Sequence, residues 1–538
     1  MKRLVRNGTV ITGTMRASAM AVEDGAVVAL GDDALDWASG WDEVIDLQGG
    51  VAIPGFRDGH AHPLSGGMDA VMLSLGGLRS IEEIQSAVRG WAAEHPEQPW
   101  IEARGYDPSL LPHGVGDASV LDAAVLDRPV ALHSSDHHMM WVNSAALRAA
   151  GITAETPEPE LGTIVRHGDG SPVGTLLEWD AVALVGRHLP VLDLETRLAG
   201  LRAGMAALAS HGIVWVQDAS VDADTLSVYL AAARAGLLTC RVNLAWRAEP
   251  RTWERQRTEF VAARASLRED PATVGRLTGN TVKFFADGVI EGGTGFLLEP
   301  YDDAPGCCGL PNWTAGALAE AVRAFDTDGF QIHIHAIGDG GVRMALDAIE
   351  SAVRHNGTRD RRPVIAHTQL VDPADRARFA ELGVIANFEP LWACLDNSML
   401  ALTMPRLGPR RSALQYPIAS IAALGAPISF GSDWPVSSVS PLQGLAVAVT
   451  RQNAQGAPES GWLPEERVPI AQALAAYTAG TAYQAFDHRA GTLAVGAAAD
   501  FCVLEKDITT MSGREIADVG VVQTYLGGER AGPGDSGD

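Results

Sequence analysis

Long apolar runs are missing: nowhere in the 538 residues does a stretch approach the roughly 18 apolar residues of a membrane-spanning helix. The first residues, Met1-Lys-Arg-Leu-Val-Arg-Asn-Gly-Thr9, carry early positive charge with no apolar segment behind it, so no secretory leader is expected and the expected location is the cytoplasm. Basic residues are scarce as well. The balance of 41 Lys and Arg against 66 Asp and Glu gives a net charge of -25, which argues against nucleic acid and anionic membrane surfaces as partners. Cysteine is rare, at five residues (Cys240, Cys307, Cys308, Cys394, Cys502), an odd and scattered set apart from one adjacent pair. That excludes a disulfide framework, and the Cys307-Cys308 pair in its Gly/Pro loop is not expected to be reactive. No G-x-G-x-x-G follows a strand and opens a helix, and Gly338-Asp-Gly-Gly341 lacks the spacing, so a dinucleotide-dependent oxidoreductase is disfavoured. Internal repeats and low-complexity tracts are likewise missing.

What is present is a hydrophobic content of 46%, enough for a large core, in a chain too long for one ordinary domain. Eight strand candidates alternate with Ala/Leu/Arg/Glu-rich helical stretches: Val51 to Phe56, Gly212 to Asp218, Leu238 to Ala245, Thr281 to Ala286, Phe330 to Ala336, Pro363 to Gln369, Gly383 to Glu389 and Ala426 to Ser432. This pattern predicts an α/β fold, a closed (β/α)8 TIM-like barrel over 54-484. The gap after the first strand exceeds a single crossover, so residues 66-200 are expected to form an insertion over the barrel mouth, with strands at Trp100 to Gly105 and Pro129 to Ser134. Short strands in the first 50 residues (Leu4 to Val10, Ala19 to Val22, Ala26 to Leu30, Glu43 to Leu47) share their texture with segments after Gly491. Residues 1-53 and 485-530 are therefore expected to build one small β-domain, with 531-538 a disordered tail.

The Val51 to His62 stretch reads as an apolar strand ending in two histidines. Residues i and i+2 of a strand share a face, so His60 and His62 suit one divalent ion. Alone the pair is weak, since such spacing also occurs in surface strands and loops. Further ligand-type residues fall at the C-terminal ends of later strands, where the loops of a barrel converge on one mouth: Lys283, His333 and His335, His367, and Asp433. His333 and His335 share a face, and either is a candidate ligand.

These stretches carry a resemblance. Pro54-Gly-Phe-Arg-Asp-Gly-His-Ala-His62, Lys283-Phe-Phe-Ala-Asp-Gly288, His335-Ala-Ile-Gly-Asp339, Gly431-Ser-Asp-Trp-Pro435 and Trp141-Val-Asn-Ser-Ala-Ala-Leu147 resemble the metal-dependent amidohydrolase superfamily, in particular its YtcJ-like branch, which includes N-substituted formamide deformylase. The resemblance implies a barrel with a β-sandwich built from both chain ends. It further implies metal ligands at His60, His62, His335, His367 and Asp433, and a carboxylated, metal-bridging lysine at Lys283. The family register favours His335 over His333. Arg57 departs from the pattern, which usually has an apolar residue there.

The expected chemistry is hydrolysis of a carbon-nitrogen bond in a small, non-peptide amide, with Asp433 as general base toward a water whose pKa a bound ion lowers to about 7. Zn2+ is the expected metal, one or two ions per chain; imidazole and carboxylate ligands also accept Fe2+ and Mn2+. In the insertion, His137 or His138 of His133-Ser-Ser-Asp-His-His138 is a candidate contact for the scissile group's oxygen, set against an ordinary polar turn. Glu291, Arg451 and Trp392 are weaker candidates for substrate contact, and Trp392, Phe388 and Met404 suit either an apolar pocket wall or the core. A lysine paired with Asp287, an Asp433 serving only as a helix cap, action on an ester or lactone, decarboxylation, and a non-catalytic metal-binding protein are the competing readings. A homodimer is the default assembly.

Overall fold

The structure, a computed structural model, describes residues 1-532 apart from 14 and 39. Eight parallel strands follow one another around a barrel in chain order: β1 (Phe56–Ala61), β2 (Ile213–Val221), β3 (Arg241–Arg247), β4 (Leu277–Phe285), β5 (Gln331–Ala336), β6 (Val364–His367), β7 (Ile385–Phe388) and β8 (Ile428–Phe430). Each neighbouring pair is in parallel register. β8 and β1 are not paired as strands, and two backbone hydrogen bonds bridge the seam, from Asp433 N, past the end of β8, to His60 O near the end of β1 at 2.7 Å and from His62 N to Trp434 O at 2.8 Å. The barrel is thus nearly closed, and the closing bonds come from candidate site residues themselves.

The later seven strands lie over their expected ranges; the first shares only Phe56 with its own. Val51–Pro54 is a strand of another sheet, pairing with Thr9–Ile11 and Phe501–Leu504, and the barrel strand begins only at Phe56. Both strands are buried along their whole length, but the barrel strand buries Arg57, Asp58 and His60, so its sequence does not read as an apolar strand. The break falls at Gly55, where a Cβ would meet Val214 Cγ1 at 2.4 Å.

The chain ends form two sheets. A four-stranded one contains Lys2–Arg6, Met20–Glu23, Ala26–Leu30 and Glu43–Asp46, and a six-stranded one contains Thr9–Ile11, Val51–Pro54, Phe501–Leu504, Val521–Leu526 and Glu529–Ala531 with Arg16–Ala17 at its edge. Val5, Met20 and Val22 of the first share an apolar cluster with Val10, Phe501 and Val503 of the second. The expected Leu4 to Val10 strand is divided between the two sheets by Asn7, whose φ of 61° turns the chain. Ala531 ends a strand, so the tail expected from 531 does not start there; residues 533-538 lie outside the described residues. Residues 73-177 contribute another six-stranded sheet that includes Ile101–Tyr106 and Val130–Ser134. Among the described residues, no helix is long and apolar enough to cross a membrane.

Helix α1 (Pro63–Met68), which directly follows His62, crosses α2 (Leu194–Ser210) through glycines. A Cβ at Gly67 would lie 1.9 Å from Gly200 O, and one at Gly204 would lie 2.2 Å from Pro63 O. Backbone against backbone leaves nothing to rotate away. Gly204→Ala is expected to destabilise the protein by about 1–3 kcal/mol, read as a lower denaturant midpoint.

Candidate metal centre

The barrel strands deliver their polar residues to one point because their C-terminal ends converge. His60, near the end of β1, turns Nε2 toward Asp433 Oδ1 (3.4 Å) and Lys283 Nζ (3.2 Å). His62, one residue past the strand, brings Nε2 to 3.0 Å from the same Asp433 oxygen. One ligand atom from each of His60, His62 and Asp433 lies within 4.8 Å of the others. Asp433 Oδ1 is buried, and although it misses hydrogen-bond geometry it lies within ion-pair distance of both imidazoles. Imidazole nitrogens crowded on one buried carboxylate oxygen are held there either by protons or by a shared cation. The donor set of two imidazoles and a carboxylate fits Zn2+, Fe2+ or Mn2+.

His367 and His335 stand beside this trio. The His367 ring is 4.7 Å from that of His60 and 4.5 Å from that of His335. Glu389 Oε2 holds His367 Nδ1 at 2.9 Å, while Trp392 stacks flat on the ring at 5.3 Å, leaving Nε2 of His367 for other use. His335 donates Nε2–H to Gly288 O at 3.1 Å, so its free lone pair is on Nδ1. His333 instead sits behind His60, with Nε2 2.9 Å from His60 Nδ1 and Nδ1 2.5 Å from the Gln217 amide. His367 and Asp433 both adopt positive φ, at 72° and 51°, an uncommon conformation that concentrates at functional sites.

Lys283 is fully buried, and among the described ion pairs it has no carboxylate partner. Burial lowers its pKa to about 7, against the opposing pull of Asp433 and Glu389. Asp287, the suggested alternative partner, is engaged elsewhere: it accepts the backbone N–H groups of Phe296 (2.8 Å), Ile337 (3.1 Å) and Gly338 (2.9 Å). Burial, Lys283 and the neighbouring imidazoles push His60 well below the usual histidine range. Burial would also depress His62, but Asp218 and Asp433 carry it up to about 9. Burial opposes ionisation of Asp433, yet His62 and the surrounding cationic groups hold its carboxyl below the usual value.

His137 and His138 arrive from the 66-200 segment and line the same cavity, about 300 Å3, as His60, His62, His335, His367 and Asp433. His138 Nδ1 is 2.9 Å from Glu178 Oε2. Burial would lower its pKa, but Glu178 raises it to about 9. His137, at φ 62°, makes no side-chain hydrogen bond among the described residues. Glu291 and Trp392 line an adjoining cavity of about 500 Å3, where Glu291 is hydrogen-bonded to Thr403. Arg451 is used structurally, donating to Trp462 O (3.0 Å) and Tyr416 O (3.2 Å). Phe388 is core, and Met404 packs against it. Arg57 does not join the cluster; its guanidinium lies 3.4 Å from Asp487 and over Trp215.

Five further polar residues complete the site, and the sequence motifs do not mark them. Glu389, Glu178 and Gln217 hold His367, His138 and His333. Asp218, 3.7 Å from His62 Nδ1, also accepts from Tyr229 Oη at 2.7 Å. Asp58 receives Ser432 Oγ at 2.6 Å and so ties β1 to the residue before Asp433. Asp218 and Glu389 carried a usable signal, since each lies at or just past the C-terminal half of a barrel strand, the criterion that selected the histidines.

The sequence of an amidohydrolase family matches residues 43–531. Protein LONG AFTER FAR-RED 3 of Arabidopsis thaliana is 31% identical over 548 residues, covering 98% of this chain and 91% of that protein. YtcJ of Bacillus subtilis (strain 168) is 28% identical over 539 residues, 96% of each chain. N-substituted formamide deformylase of Arthrobacter pascens is 26% identical, covering 90% of this chain and 89% of that protein. An uncharacterized metal-dependent hydrolase from Pyrococcus horikoshii OT3 has the same fold, with a TM-score of 0.74 at 22% identity over 95% of this chain and 99% of its own. With a family match over most of its length and strands that bring His60, His62 and Asp433 to one point, this chain belongs to the amidohydrolase family.

Proposed function

We propose that the protein is a metal-dependent hydrolase that cleaves the carbon-nitrogen bond of a small, non-peptide amide. The observation that carries this reading is the convergence of His60, His62 and Asp433, with one ligand atom of each within 4.8 Å of the others, in a cavity open to a small ligand. His60, His62 and Asp433 would hold the ion, with His335 and His367 beside them as further ligands and Lys283 Nζ 3.2 Å from His60 Nε2. When bound, a divalent ion, Zn2+ in the first instance, polarises the carbonyl and lowers the pKa of a water to about 7.

The chain's own residues supply the proton movements. Asp433, ionised at neutral pH, takes the proton of the attacking water and returns it to the leaving nitrogen. His138, kept protonated by Glu178, donates a hydrogen bond to the amide oxygen as negative charge develops there. His137 and Trp392 border the substrate, with Glu291 further into the adjoining cavity. Lys283, buried beside His60 without a counter-ion, suits reaction of its free amine with CO2, giving a carbamate and releasing a proton. The carbamate replaces a cation with an anion at a place where cations would otherwise repel each other.

His333 serves as a positioning residue. For His60 to present the Nε2 lone pair, its Nδ1 must carry the proton and donate it to His333 Nε2. His333→Gln is expected to weaken metal affinity about 10–100-fold, measured by competition with a chromophoric chelator.

The functional test is a screen of the metal-loaded protein against N-substituted formamides and N-acyl amines, the class named by the Arthrobacter pascens relative, beside matched esters and lactones. Turnover of amides supports the reading. Turnover of esters or lactones alone moves the activity to another bond, and turnover of none refutes the hydrolase.

A further inference from the structure

The walls of the metal-centre cavity are charged in an uneven way. Three arginines from three separate elements line it: Arg104 from the strand Ile101–Tyr106, Arg197 from the first turns of α2, and Arg247 at the end of β3. In a chain of net charge -25, cations in such a place call for an explanation. Arg197 makes no side-chain hydrogen bond or ion pair among the described residues, although it is half-buried. Arg104 donates to Ser65 Oγ at 3.2 Å and stands 3.6 Å from Glu102, but its Nε is buried with no acceptor. Arg247 is paired with Glu249 and stands over Trp179, 4.1 Å from the ring centroid.

Three carboxylates line the same cavity, but Asp218 and Asp433 face His62 and Asp136, which also lines the adjoining cavity, accepts from Ser134 Oγ and the His138 N–H, so among the described residues none of them pairs with an arginine. The adjoining cavity carries carboxylates without cations. Asp69, Asp107, Asp136, Glu291 and Asp396 line it, with no Lys, Arg or His among its described lining residues. An anionic ligand is repelled from that side and attracted to the arginine side. Guanidinium groups present paired N–H donors that match the two oxygens of a carboxylate. Leu64, Met68, Leu192, Trp179 and Phe285 supply apolar surface in the same cavity. With only about 300 Å3 available, a carboxylate on the arginines and an amide at Asp433 belong to one small molecule, a few bonds apart.

We propose that the substrate carries a carboxylate beside the cleaved amide, as in an N-formyl or N-acyl amino acid with an apolar side chain, and that Arg104 and Arg197 bind this carboxylate. Arg247 closes the cationic wall and holds Trp179 against the substrate's apolar part. This inference rests on the hydrolase reading above for the placement of the amide, and it adds the class of molecule.

The test compares N-formylphenylalanine, as each enantiomer, with N-phenethylformamide, which lacks only the carboxylate, on the metal-loaded full chain. The expected result is a kcat/KM for one enantiomer of the acid about 100-fold above that of the neutral amide. Arg197→Met and Arg104→Met are each expected to reduce this preference about tenfold or more, chiefly through KM, with Arg197→Lys recovering part of it. Equal use of acid and neutral amide by the unsubstituted protein, or a preference that both methionine variants leave unchanged, overturns the inference. If neither compound is hydrolysed, the hydrolase reading fails on these substrates, and calorimetric binding of the same compounds still decides the arginine role. Tighter binding of the acid, weakened by the methionine variants, upholds it; equal binding, or none, overturns it.

Discussion

Asp433→Asn is expected to keep most of its bound metal while losing about 10²–10⁴-fold in turnover. The argument turns on what the substitution changes. Asparagine keeps an oxygen where Asp433 Oδ1 faces His60 and His62, 3.4 and 3.0 Å away, so a neutral ligand atom remains available. It cannot take a proton from water, and it cannot return one to nitrogen. The backbone is also preserved, because asparagine tolerates the φ of 51° at this position better than most residues. Single-turnover rates at saturating substrate, with metal content measured on the same preparation, separate the outcomes. Equal loss of metal and rate would make Asp433 a ligand first, and retained turnover would place the base elsewhere.

Lys283→Ala is expected to lower metal content and to cost on the order of 10²-fold or more in kcat, the several kcal/mol that a correctly held ion contributes. Removing the side chain leaves His60 without its 3.2 Å neighbour and removes the anionic group that a carbamate places between the ligands. Lys283→Gly supplied with a short-chain carboxylic acid is expected to regain part of the activity, because the acid restores that anion. Protein depleted of CO2 and metal should likewise recover faster with bicarbonate than without. Full metal content and rate in Lys283→Ala would reduce Lys283 to a buried amine with a packing role.

Much of this site was legible from residue types at strand ends. Seven of the barrel strands announced themselves as short apolar runs between helical stretches, and their ends carried Lys283, His335, His367 and Asp433. The first strand lies further along than its apolar run suggests, because Val51–Pro54 belongs to another sheet and the barrel strand Phe56–Ala61 buries the polar residues Arg57, Asp58 and His60. The choice between His333 and His335 was equally out of reach: both lie on one strand face, and only the observed contacts with His60 and Gly288 separate them. Glu178, Glu389 and Gln217 escaped notice for another reason. They act by holding a histidine, through pairings between distant segments, and an isolated acid or amide in a sequence carries no trace of its partner. The arginine wall depends on still more distant segments, since Arg104, Arg197 and Arg247 meet only once the 66-200 segment folds over the barrel mouth.

The most direct test of the metal-dependent hydrolase is metal content per chain by plasma mass spectrometry on protein purified without chelator, paired with amide hydrolysis before chelation, after it, and after Zn2+ is restored. About one or two divalent ions per chain are expected, with hydrolysis abolished by chelation and recovered on restoration; two ions would favour the carbamate bridge and one a mononuclear site. A preparation without stoichiometric metal that still hydrolyses amides, or one with metal whose hydrolysis survives complete chelation, would contradict the account.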